Sequence, residues 1–126
     1  MITHRQFRTV NIPSEVFSHC AICAERMGIS LTKKEVLKKE GDNFDGIIEG
    51  TQPISTGQLM IRIKVHGWRD THHHGGFWPT SLTSNVTIET FETQNDEELP
   101  DTPNVRNLHE NYNFRLGRYY LWHTSG

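Results

Sequence analysis

The 126-residue chain is poor in cysteine, with only Cys20 and Cys23. They lie three positions apart in a segment of helical periodicity, where side chains are poorly directed for a disulfide. The sequence thus excludes a disulfide framework and predicts a reducing, cytoplasmic setting. A Cys-x-x-Cys pair can be half of a zinc or redox motif, but a second pair is absent. We therefore interpret both as small core residues.

Long apolar runs are also missing, since every hydrophobic stretch is far shorter than the roughly 20 residues of a membrane span. The opening MITHRQFRTV has no apolar signal core, so we expect neither a membrane segment nor export. The chain contains no Gly-x-Ser-x-Gly, phosphate-loop or dinucleotide-binding glycine pattern. Nothing in the sequence therefore points to a nucleotide-cofactor enzyme.

The residues that are present predict one α+β domain over 1–126. Pro13 and Ser14 begin a helix whose apolar residues recur at helical spacing as far as Gly28. Thr32 and Glu35 match a capping box, which predicts a second helix over 33–40. We expect these two N-terminal helices to pack on a mainly antiparallel sheet of about four to six strands.

The clearest strand is GQLMIRIKVH, in which apolar residues at 59, 61, 63 and 65 alternate with polar ones. Further strands are predicted over 44–49, 85–93 and 114–122, and the segment before Pro13 is expected to form an edge strand. Segments 67–81 and 94–113 are expected to be irregular. Long irregular connections in a small domain are often functional.

Charge is unevenly distributed along the chain. Residues 1–40 carry seven Lys/Arg against four Asp/Glu, whereas residues 41–126 carry six against eleven. A basic face could meet nucleic acid or an acidic protein. The nucleic-acid alternative would use six basic residues, some of them among C-terminal aromatics suited to base stacking: Lys33, Lys34, Lys38, Lys39, Arg115 and Arg118.

The stretch AERMGISLTKKEVLKK resembles the helix-turn-helix of DNA-binding regulators, with Ala24, Gly28 and Leu37 at matching positions. The resemblance covers about sixteen residues. It implies that Ser30, Thr32, Lys33 and Lys38 face a DNA groove. A helical hairpin packed on a sheet is the alternative interpretation.

Three consecutive histidines in RDTHHHGGFWPT raise the hypothesis of a metal centre. His72 and His74 would share one side of an extended chain, and Asp70 offers a carboxylate. A third ligand would come from His66, His109 or His123. Such a site could hold a divalent metal such as zinc and serve a metal-dependent hydrolase. The alternative is a solvated polar loop, and whether the protein is an enzyme stays open.

The same segment is rich in aromatic residues, which are enriched at interface hot spots. We predict a small cytoplasmic, non-catalytic binding or regulatory protein, of the inhibitor or adaptor type, that engages another macromolecule through 67–81. Its partner is expected to be a protein, and a homodimer is an additional possibility. The predicted binding residues are Trp68, His72, His73, His74, Phe77 and Trp78.

Overall fold

A computed structural model describes residues 1–9, 12–70 and 81–119 of the chain. These residues form six strands and two helices. In chain order they are β1 (Ile2–Thr9), α1 (Pro13–Arg26), β2 (Ser30–Glu40), β3 (Asn43–Ile54), β4 (Gly57–Asp70), β5 (Ser81–Gln94), β6 (Glu97–Leu99) and α2 (Pro103–Tyr119). Neither of these two helices is long and apolar enough to cross a membrane.

The strands form one antiparallel sheet in the order β1-β5-β4-β3-β2, and short β6 pairs with the end of β5. Tight turns set most of this order. Two-residue turns close the β2–β3, β3–β4 and β5–β6 hairpins. In the last turn Asn95 and Asp96 both have positive φ, the conformation that matches the twist of paired strands and that Asn and Asp tolerate well.

Both helices pack on the same face of the sheet. Alternate residues of β4 (Leu59, Ile61, Ile63 and Val65) are buried, as the period-two pattern predicts. Gly67 and Gly46 let α1 approach closely, because a Cβ at Gly46 would lie 2.6 Å from the ring of Phe17. The opposite face of the sheet, which we call the outer face, carries no helix among the described residues.

Several predictions of the sequence are confirmed. The first helix begins at Pro13 and buries Val16, Phe17, Cys20, Cys23 and Ala24. The segment before it is edge strand β1, and the strands predicted over 44–49 and 85–93 lie within β3 and β5. The α+β class and the antiparallel sheet are also correct.

The prediction of a second N-terminal helix is wrong. Residues 30–40 are edge strand β2, paired with β3 over nearly their whole length. Gly28, with φ of 80°, turns the chain out of α1, and Gly41 belongs to the β2–β3 turn and does not cap a helix. Pairing with β3, the next strand along the chain, overrides the local helix signal, because hydrogen bonds to β3 satisfy the backbone of β2.

The predicted C-terminal strand is also wrong, because residues 103–119 form helix α2. Four residues at helical spacing, Val105, Leu108, Tyr112 and Leu116, are buried against the sheet and α1. The segments predicted to be irregular contain β6 and most of α2, while 67–70 extend β4. The aromatic content of 114–122 favoured a strand, but amphipathic spacing determines the observed element.

Candidate functional site

The described candidate metal ligands lie on opposite sides of the sheet. His66 lies on the outer face, where its Nδ1 is 2.7 Å from Oδ1 of Asp45. His109 lies on α2 and faces the core between strands β1 and β5. Six of the predicted site residues lie outside the described residues: His72, His73, His74, Phe77, Trp78 and His123. Within the described ranges, no group of three or more His, Cys, Asp or Glu is placed to hold a metal ion.

The contacts of His109 indicate a structural role for this side chain. Its Nδ1 is 2.8 Å from the hydroxyl of Thr90, and its Nε2 contacts the hydroxyl of Thr3. Burial lowers the pKa of His109, and the α-ammonium of Met1 acts in the same direction. With both ring nitrogens engaged, this histidine ties α2 to two strands and has no nitrogen free to bind a metal.

Neither cysteine is placed for nucleophilic chemistry. Both are buried free thiols on the apolar face of α1. Burial raises the pKa of Cys20 to about 12 and that of Cys23 to about 11. A reactive cysteine needs the opposite shift, toward the thiolate, so the interpretation as core residues fits their surroundings.

Another buried titratable group, Glu92, holds the base of α2. Hydrogen bonding from Thr102 lowers its pKa, and Gln94, Thr56 and Asn104 add to this effect. Thr102 also caps α2, since its hydroxyl accepts a hydrogen bond from the backbone N–H of Val105 at 3.2 Å. Glu92 therefore has a clear structural role where the β3–β4 turn meets the start of α2.

A depression of about 630 Å³ lies on the outer face next to the hairpin that carries segment 67–81. Its lining includes Leu37 and Lys38 of β2, Ile47 of β3, and Lys64 and His66 of β4. Leu37 is 60% exposed. Asp45 also lines the depression, which therefore combines apolar groups, basic groups and one carboxylate on an open surface.

Trp68 extends this surface toward the hairpin tip. It is half-buried, and its ring lies 5.4 Å from that of His66 at an interplanar angle of 31°. Beyond it, Nε of Arg69 lies 2.7 Å from a carboxylate oxygen of Asp42 in the β2–β3 turn. Of the predicted binding residues, Trp68 is the one that lies within the described ranges.

The basic residues proposed for nucleic acid fall into two separate elements. Lys33, Lys34, Lys38 and Lys39 lie on β2, where lysines protect a sheet edge against unwanted pairing. Arg115 and Arg118 lie on α2. The helix-turn-helix hypothesis is wrong, because its second helix is β2, so Ser30, Thr32, Lys33 and Lys38 have no recognition helix to occupy.

A groove that the sequence does not predict lies between α1 and α2. It encloses about 440 Å³, and three arginines, Arg26, Arg115 and Arg118, line it together with Phe114. Two of these arginines were singled out, but on a predicted strand. Helical spacing of polar residues along 104–118 was the signal that could have identified this face.

Comparison with protein-family models and with curated protein sequences gives no match for this chain.

Proposed function

We propose that this protein is a small, non-catalytic binding protein that engages an acidic segment of a partner protein through the outer face beside segment 67–81. The observation that carries the proposal is the depression, where exposed Leu37 and half-buried Ile47 lie beside basic residues that form no ion pair with another described residue. Exposed apolar groups within a polar rim are typical of interaction surfaces.

Charge supports an acidic partner. On this face Arg62 pairs with Glu49 and Glu89, at 3.2 and 2.8 Å, and Asp45 is held by His66. Lys38 and Lys64 line the depression, yet neither takes part in an ion pair among the described residues. An acidic segment would supply the missing countercharges.

Trp68 supports the anchoring role expected for this region. Tryptophan is enriched at hot spots because it offers a large apolar area with one hydrogen-bond donor. Here its ring lies tilted against that of His66, which lines the depression. We also propose a cytoplasmic location, which the two unbridged cysteine thiols support.

The test uses synthetic 15-residue peptides in which Asp or Glu alternates with Leu or Val, and matched peptides with Lys in place of the acidic residues. Fluorescence anisotropy should detect binding of the acidic series, and two-dimensional amide spectra should map it to β3 and β4. Failure to bind, or equal binding of the basic series, would contradict the proposal.

Two neighbouring lysines provide a matched pair of variants. Lys38 is opposite Asp45 and lines the depression, whereas Lys39 is opposite buried Phe44 and points to the other side of the sheet. Reversing one exposed charge is worth about 1 kcal/mol, or about fivefold in Kd. Lys38→Glu should weaken binding by that factor, and Lys39→Glu should have much less effect.

Trp68→Ala tests the anchor. Loss of a hot-spot tryptophan costs about 2 kcal/mol or more of binding free energy. We therefore expect Kd to rise more than tenfold with little change in Tm. A lowered Tm with unchanged peptide binding would make Trp68 a core residue and remove it from the proposed surface.

The alternatives predict different results. A metal-dependent hydrolase predicts about one divalent ion per chain in untagged protein, lost in the His72→Ala/His74→Ala double variant. A nucleic-acid-binding protein predicts duplex binding whose affinity falls steeply with salt. A homodimer would show twice the chain mass in light scattering, and the exposed edge of β2 would be the first surface to test.

A further inference from the structure

Three arginines meet in the groove between α1 and α2. Arg26 lies in the last turn of α1, and Arg115 and Arg118 lie one turn apart near the end of α2. Burial raises the pKa of Cys23, Arg115 and Arg26 lower it electrostatically by a smaller amount, and all three residues line the groove. The three arginine side chains therefore line one small region of the surface.

Within the part of the chain that the structure describes, these arginines have no acidic partner. Elsewhere in the described ranges Arg62, Arg69 and Arg106 each pair with a carboxylate, at 2.7 to 3.2 Å. No described ion pair includes Arg26, Arg115 or Arg118, and no acidic side chain lines the groove. Like charges held together in this way raise the local positive potential, which favours an anion.

The groove also has an apolar side. Phe114 is 64% exposed and Ile22 is 38% exposed, and both line the same cavity as the arginines. The guanidinium of Arg118 lies 5.7 Å from the centroid of the Phe114 ring. A flat aromatic or alkyl group could therefore lie against Phe114 while an acidic group contacts the guanidiniums.

Amide side chains continue the groove along α2. A second cavity of about 270 Å³ shares Asn111 and Arg115 with the first, and Asn104, Asn107 and Gln52 also line it. Residues 104, 107, 111, 115 and 118 follow one stripe of the helix, because they are three or four positions apart. The stripe changes from hydrogen-bonding amides to cations along its length.

From this arrangement we infer that the groove between α1 and α2 binds a small organic oxyanion, a carboxylate or phosphate ester with a flat apolar body. The guanidinium groups would hold the oxyanion in forked hydrogen bonds, and Phe114 and Ile22 would cover the body. The site lies on the helix side, so this inference is independent of the partner proposed for the outer face.

A structural role for the arginines makes different predictions. Cations in the last turn of a helix stabilise its C-terminal end, and Arg26 and Arg118 occupy such turns. Under that account, replacing either residue lowers Tm and does not change the affinity for anions. Under ours, replacing Arg26 or Arg118 weakens anion binding, and relief of the repulsion among the three arginines should keep Tm constant or raise it in the absence of ligand.

The test is a titration of the protein with 2-naphthoate, 2-naphthyl phosphate and uncharged 2-naphthamide. Calorimetry and two-dimensional amide spectra measure the binding of each compound. Both anions should bind and should shift the backbone amide resonances of residues 22–27 and 111–118. Uncharged 2-naphthamide should bind at least about tenfold more weakly than either anion. The tighter of the two anions identifies the acidic group. Added NaCl should weaken their binding.

Matched variants localise the site. Arg115→Gln should weaken anion binding by about tenfold or more. Arg106→Gln is the control, because Arg106 lies on the same helix but pairs with Asp101 outside the groove. Phe114→Ala should reduce affinity for the naphthyl anions while leaving their preference over the amide. No binding of either anion at millimolar concentration, equal binding of the amide, or equal effects of the two arginine variants would overturn the inference.

Discussion

Replacing two residues of α2 tests the helix directly. Leu116 is fully buried and Phe114 is 64% exposed, although they are only two positions apart. In a strand, positions i and i+2 share a face and would be buried alike. In a helix they are about 200° apart, so Leu116→Ala and Phe114→Ala should have very different effects on stability.

The expected losses in the free energy of unfolding follow from the burial of the two side chains. Removing a fully buried leucine side chain to alanine costs about 2–5 kcal/mol, through lost transfer free energy and the cavity that remains. An exposed phenylalanine loses little packing, and its replacement by alanine also favours the helix, so its cost should stay within about 0.5 kcal/mol. Total stability of domains is only about 5–15 kcal/mol, so the first variant should lose a large part of it.

The assay is urea unfolding followed by circular dichroism, with Tm as a second measure. At about 4 °C per kcal/mol for a chain of this size, Leu116→Ala should lower Tm by about 8–20 °C. The slope of free energy against urea should remain unchanged in both variants if unfolding stays two-state. Costs that agree within about 0.5 kcal/mol would refute the helical placement of residues 114–116.

Other contacts give further predictions. Tyr112→Phe removes a buried hydrogen bond of 2.8 Å to the carbonyl of Cys20 and should cost about 1 kcal/mol in urea unfolding, because that carbonyl keeps its bond within α1; no measurable cost would argue against this contact. Because burial lowers the pKa of His109, the unfolded chain binds a proton below about pH 6.5 that the folded chain does not. Stability should therefore decrease as the pH is lowered through that range, and a His109→Gln variant should lose less stability there; equal losses in both proteins would mean that the histidine is solvated in the folded chain. Gly46→Ala places a Cβ 2.6 Å from Phe17 and should cost about 1–3 kcal/mol by overpacking, whereas an unchanged unfolding midpoint would mean that α1 lies farther from the sheet.

The contrast between β4 and β2 explains why the sequence predicted one strand and missed another. In β4 the apolar residues alternate over four successive pairs of positions, and one face is buried, so the pattern reflects burial directly. In β2 almost every residue is exposed, including Val36 and Leu37. An exposed edge strand leaves no burial pattern, so a chance capping box dominated the local signal.

The sequence pointed to single residues of the candidate sites but not to how they are arranged in space. Trp68 and His66 stood out as single residues next to an aromatic, histidine-rich segment, and the structure puts them together. Arg115 and Arg118 were selected for their charge, but on the wrong element. Arg26 was missed because its relation to them depends on contact between two helices that residues 27–102 separate along the chain.

Local regularities in the sequence determined the α+β class, helix α1 and the central strands, because periodic burial on a regular backbone produces a periodic sequence. Only the tertiary structure decided the state of 30–40 and 103–119, since strand pairing and helix docking supply stabilisation that short segments lack alone. The same packing brought the ends of α1 and α2 together and so created the arginine groove. Contacts between distant segments carry no sequence period, which is why this site became visible only in three dimensions.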